Sequence, residues 1–114
     1  MANIQHLDVY AGEDRTPTLY ARDSANVPLS LTGKTVAWYV GRSPWHPDYS
    51  NAIFSKTGTT ISASAGTFSV PIVPADTQYL NGDYEHMAVA TVTASGLKYV
   101  VTQGRFRVRS VLVA

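Results

Sequence analysis

Apolar and polar residues alternate along this chain in short runs bounded by Gly, Pro, Asn, Asp or Ser, and helical spacing of apolar positions is hard to find over any useful window. A period of two puts successive side chains on opposite faces of a strand, so the runs predict β-strands half-buried against a core. The first run is Gln5 to Tyr10, with Leu7 and Val9 on one face, closed by the polar turn Ala11-Gly12-Glu13-Asp14. Thr16 to Arg22 follows, with Leu19 and Ala21 on one side. Pro17 has no N–H for a ladder and so predicts an edge or a switch between sheets. The connection from Asp23 to Gly33 turns at Ser24-Ala25-Asn26 and bends again at Thr32-Gly33, where Gly33 is expected to take positive φ. In Thr35 to Val40, Val36, Trp38 and Val40 share one face and Ala37 and Tyr39 the other. A strand apolar on both faces belongs in the middle of a sheet.

Beyond it, Arg42 to Tyr49 contains Pro44 and Pro47 and reads as an irregular loop. Strands resume at Ala52 to Lys56, turn at Gly58, and continue as Thr60-Ile61-Ser62 and Thr67 to Ile72, the latter with Phe68, Val70 and Ile72 inward. Pro74 to Leu80 is the one plausible helical turn, with proline early and Asn81-Gly82 as its stop. Tyr84 to Thr93 and Lys98 to Val113, joined by Ala94-Ser95-Gly96, predict a long hairpin. The sum is an all-β fold, an immunoglobulin-like β-sandwich of about seven antiparallel strands with one short helical turn near 74–80. With 114 residues, one domain spanning 1–114 is the expectation, and a core of that size buries roughly two thirds of the unfolded surface.

Composition narrows the function classes. Hydrophobic residues make up 45% and charged residues 15%, too apolar a balance for a disordered tail. Nine Lys and Arg oppose eight Asp and Glu, so a formal net charge of +1 gives no general attraction to nucleic acid or anionic lipid. The absence of Cys removes disulfides, thiolate metal sites and thiol nucleophiles together. Met1 to His6 carries no basic stretch before an apolar core, so no secretory signal is expected and synthesis in a cytoplasm is. No 18-residue apolar run suggests a transmembrane helix.

Catalytic chemistry finds little to stand on. His6 and His46 have no carboxylate or histidine at a metal-ligand spacing, and Ser62-Ala63-Ser64-Ala65-Gly66 is no nucleophile elbow. No glycine-rich phosphate cradle precedes a helix, and Asp48, Asp76 and Asp83 are expected in turns as capping groups. No enzyme, cofactor or metal is therefore expected. Tyr84, just after Gly82-Asp83, resembles the tyrosine corner, in which a phenol hydrogen-bonds upstream backbone. His86 is expected buried and satisfied by neighbours, and Trp38 at the centre of the core.

Surface features point instead to contacts with other proteins. Arg105, Arg107 and Arg109 alternate along the last strand and should project from one face, with Phe106 and Val108 inward. Such a stripe is either a solvated face that discourages edge pairing or a clamp for the carboxylates of a neighbouring subunit, to which arginine's planar fork is suited. Trp45 and Tyr49 in the proline loop either anchor an interface or fold back over the core. Val111, Leu112 and Val113, in an end that is apolar for a terminus, either pair with another chain's sheet or complete the chain's own.

Five segments in order carry a family resemblance: Tyr10 to Asp14, Asn26 to Val36, Phe54 to Gly58, Pro74 to Thr77 with Leu80 to Tyr84, and Gly104 to Val108. Together they resemble the immunoglobulin-like domain of tailed-phage virion proteins, found at the start of baseplate upper proteins and in small head, neck and tail proteins. The resemblance implies a non-enzymatic structural protein of the virion, made in the host cytoplasm, acting as capsid decoration or as a neck, tail or baseplate adaptor. It implies other virion structural proteins as partners, in multiple symmetric copies, and no nucleic acid or membrane. The large C-terminal extension of a receptor-binding protein is missing from this pattern, so an adaptor or decoration is the expected role. A second expectation, of a different class, is a carbohydrate-binding or adhesive module in which Trp45, Tyr49 and Tyr39 stack on sugar rings.

Overall fold

A computed structural model describes residues 3–22, 25, 27–42 and 52–109. Strands occupy most of the predicted runs: β1 Asn3–Ile4, β2 Leu7–Tyr10, β3 Thr18–Tyr20, β4 Lys34–Gly41, β5 Ala52–Thr57, β6 Thr59–Ser62, β7 Thr67–Ser69, β8 Gly82–Val92 and β9 Lys98–Arg109, with a single helical turn, α1 Pro74–Thr77, between β7 and β8. The larger sheet has the order β1-β9-β8-β4-β5, with β2 also on β9, and the smaller has the order β3-β7-β6. The fold is thus mostly β, and β4 lies inside its sheet as its two apolar faces predicted.

Strand direction departs from the expectation of an all-antiparallel fold. Asn3 and Ile4 lie opposite Thr102 and Gln103, and Leu7 to Tyr10 opposite Phe106 to Arg109, both in parallel register, so the larger sheet is mixed. Parallel neighbours need a long crossover, and here nearly the whole chain lies between them. Alternation fixes which face a side chain takes and carries no information on direction. The first run is also broken in two. At the break Gln5 donates its N–H to Gln103 O at 2.8 Å, and it passes so close to Gly104 that an added Cβ there would fall on the Gln5 carbonyl oxygen.

Other corrections are local. Gly58 does not close a simple turn; it hands the chain from β5 in the large sheet to β6 in the small one, donating to Val36 O at 2.8 Å and packing against Phe68 and Val36. Regular pairing of β7 stops at Ser69, two residues before Pro71, although Val70 and Ile72 remain buried. The helix is one turn, stopping at Thr77, and the Asp76 carboxylate accepts the Val73 N–H at 2.9 Å as its cap. Gly33 has φ of 71° and Gly96, in the β8–β9 turn, 74°, as those turns require.

Both sheets feed one core. Val36, Trp38 and Val40 from β4, Tyr84, Ala88 and Ala90 from β8, and Phe106 and Val108 from β9 meet Leu19 of β3 and Phe68 of β7. Trp38 is fully buried and takes Phe54 and Phe106 edge-on, at centroid separations of 5.7 and 5.6 Å. This is the arrangement the ring quadrupole favours. A bulge in β9 sets Ala88 opposite Thr102 and Val89 opposite Val100, so Val101 and Thr102 are buried in succession. The Thr102 hydroxyl donates to Tyr20 O and ties the large sheet to the small one.

Candidate interaction surface

The buried polar groups are structural. His86 is 1% exposed, and its Nδ1 accepts the Trp38 indole N–H at 3.1 Å. Since the indole can only donate, Nε2 carries the proton and donates to Gln5 O at 2.5 Å. Burial, the largest influence, pushes the imidazole pKa down to about 4. A neutral ring with both nitrogens engaged has no lone pair or proton left for a ligand or a reaction. The Gln5 side chain extends the network, donating to Thr18 O at 3.0 Å and accepting the Tyr20 N–H at 3.2 Å, as a backbone amide would. Gln5 thereby joins β9, β8 and the edge of the small sheet. Tyr84 behaves as the sequence predicted: its hydroxyl donates to Asn81 O at 3.2 Å and accepts the Asn81 N–H at 3.1 Å.

Among the described residues, no group of three or more His, Asp or Glu side chains is placed to hold a metal ion. His6 is occupied, its Nδ1 accepting the Arg105 N–H at 2.9 Å. Among the described residues no helix is long and apolar enough to cross a membrane.

Arg105, Arg107 and Arg109 do share the outer face of the large sheet, while Phe106 and Val108 are buried beneath. Register adds what the sequence alone did not reveal. Arg107 lies between Asp83 of β8 and Asp8 of β2, and Arg105 lies opposite Glu85. The Arg107 guanidinium grips Asp83 with Nε–Oδ1 at 2.7 Å and a second contact at 3.4 Å, and Arg109 reaches Asp8 at 3.8 Å. The hydrogen bond from Arg107 holds the Asp83 carboxyl below its ordinary range, and the same bond raises the Arg107 pKa. Asp83, expected in a turn, is instead a strand residue with a cross-strand partner. The chain thus supplies Arg107 and Arg109 with carboxylates of its own; Arg105 is exposed and, among the described residues, forms no ion pair. Beside Arg105 lies an open depression of about 760 Å³, lined by His6, Arg42, Glu85 and Gln103 among others.

Of the remaining interface candidates, Trp45 and Tyr49 of the proline loop and Val111, Leu112 and Val113 lie outside the described residues, as do His46 and Asp48. Tyr39, the third aromatic of the sugar-binding expectation, is half-buried in β4. No protein-family model and no curated protein matches the chain.

Proposed function

We propose that this chain is an immunoglobulin-like sandwich module that binds other proteins and performs no reaction. The observation that carries the reading is strand order. The β9-β8-β4-β5 and β3-β7-β6 arrangements correspond to the G-F-C-C′ and B-E-D strands of a variable-type immunoglobulin sandwich. Trp38 on the C-equivalent strand and the Tyr84 hydroxyl bonded to Asn81 at the start of the F-equivalent strand agree with it. His86 then occupies the place where many such domains carry an inward Cys, and hydrogen bonds to Trp38 and Gln5 stand in for the missing cross-link.

The particular module we infer is a structural protein of a tailed-phage virion, a capsid decoration or an adaptor of neck, tail or baseplate, present in symmetric copies. Support comes from the order and spacing of the five sequence segments and from an outer sheet face that carries a row of arginines and carboxylates. Mass spectrometry of gradient-purified particles is the test. Recovery of the polypeptide at a fixed stoichiometry to the other structural proteins is expected; its absence from intact particles would overturn the assignment.

A further inference from the structure

Asn81 stands between the helical turn and β8, and of the four asparagines in the sequence it is the one followed by glycine. That dipeptide has a chemistry of its own. Once the Gly82 amide loses its proton to hydroxide, its nitrogen can attack the Asn81 Cγ; a C–N bond forms, the side-chain amide leaves as ammonia, and a five-membered succinimide results. Water then opens the ring at either carbonyl to give aspartate or isoaspartate, so that one water is taken up for one ammonia released. Glycine favours the step because no side chain screens the attacking nitrogen. Both residues are exposed, and a Cβ added at Gly82 would meet nothing within 4 Å, so water and base have access.

What the fold controls is the backbone at Asn81. Ring closure requires its ψ to turn until the Gly82 nitrogen faces Cγ. The Tyr84 hydroxyl accepts the Asn81 N–H at 3.1 Å and donates to Asn81 O at 3.2 Å, so one oxygen holds both ends of the residue and fixes φ and ψ together. The phenol is itself anchored, since Tyr84 is buried in the core. On either side the chain is held as well: Leu80 donates its N–H to Thr77 O at 2.9 Å, and Gly82 lies opposite Val108 with φ of 107°, a conformation glycine adopts freely.

We propose that Asn81-Gly82 is a site of spontaneous deamidation and that the Tyr84 hydroxyl is its gate, holding Asn81 away from the ring-closing geometry for as long as the corner is intact. Isoaspartate lengthens the main chain by one carbon, so a single hydroxyl no longer spans the N–H and C=O of that residue. Either product also adds a carboxylate two residues from Asp83, which Arg107 already grips. The corner thus protects the chain from the reaction that would dismantle it, whatever the chain binds.

The test is peptide mapping by mass spectrometry, with isoaspartate resolved by chromatography, after incubation of the whole chain at mildly alkaline pH and below its melting temperature. The natural chain, Tyr84→Phe and Leu19→Val are compared, with the natural chain in urea as the unrestrained reference. Leu19→Val loosens the core from the small sheet and leaves the corner hydroxyl in place, and circular dichroism will establish that both variants fold. Deamidation at Asn81 should be fastest in urea and slow in the folded natural chain. In Tyr84→Phe it should run about fivefold or more faster than in the natural chain, the factor to which a net hydrogen bond of ordinary strength corresponds. Leu19→Val should stay close to the natural chain. A Tyr84→Phe rate no higher than the natural one would overturn the gate, and so would an equal acceleration in Leu19→Val, which would route the reaction through global unfolding. Absence of deamidation at Asn81 in urea would overturn the site itself.

Discussion

The two halves of the β8–β9 hairpin are built alike and end up in opposite circumstances. In one half, Tyr84, His86, Phe106 and Val108 are buried, and the hydroxyl and both imidazole nitrogens find partners. In the other, beyond the bulge, Lys98, Tyr99 and Val100 are exposed, and Tyr99 and Val100 line a notch with an apolar floor. Apolar content does not separate them; the cover does. Leu19 of β3 and Phe68 of β7 meet the first half in the core, whereas the second half ends in exposed Tyr99 and Val100. Alternation decides which face a residue takes, and the opposing layer decides whether that face is buried or left exposed.

The contrast is sharpest in stability. Phe106→Ala should lower unfolding free energy by about 3–5 kcal/mol, the usual result of emptying an aromatic site in a packed core. Tyr99→Ser, at the same alternating inward position of the same strand, should cost under about 1 kcal/mol because half of that side chain is already in water. Urea denaturation of the two variants is the comparison, and equal losses would break it.

Acid should act through the covered half alone. The folded His86 pKa of about 4 lies below the ordinary 6.5, so the unfolded chain binds the extra proton first as pH falls. Stability from this group is complete above pH 6.5, declines between 6.5 and 4, and changes no further below 4. The shift corresponds to about 3 kcal/mol at full development. Gln at position 86 retains an acceptor and a donor without titrating, so unfolding curves of His86→Gln across that range should lack the decline. A profile as steep as that of the parent chain would remove His86 as its cause.

Smaller effects follow. Tyr84→Phe removes one hydroxyl that serves both as donor and acceptor for Asn81 and should cost about 1 kcal/mol in the same assay. Arg107→Ala should leave the melting temperature nearly unmoved, since its pair with Asp83 is in contact with solvent and screened by salt. A loss rivaling that of Tyr84→Phe would make the charged face a structural element.

What was legible in the sequence was local. Val36-Ala37-Trp38-Tyr39-Val40 announced an interior strand, Gly33 and Gly96 their turns, and Tyr84 its hydroxyl bond. Properties that depend on distant partners were not. The parallel pairing of β1 and β2 with β9 joins opposite ends of the chain, and the bulge that buries both Val101 and Thr102 breaks the alternation from which faces are read. The arginine stripe was visible, but its carboxylates sit on two other strands at positions fixed only by register. Asp8, a lone charge between Leu7 and Val9, was the available hint that this strand also has an outward polar face. The notch had no sequence signal, because its floor joins Leu31 to Ala90 and Val101, which only the fold brings together.

Amide hydrogen exchange of the free chain tests the contrast directly. Residues 84–88 and 102–108 should be strongly protected, and residues 98–100 should exchange faster. Equal protection of the two halves would contradict the account.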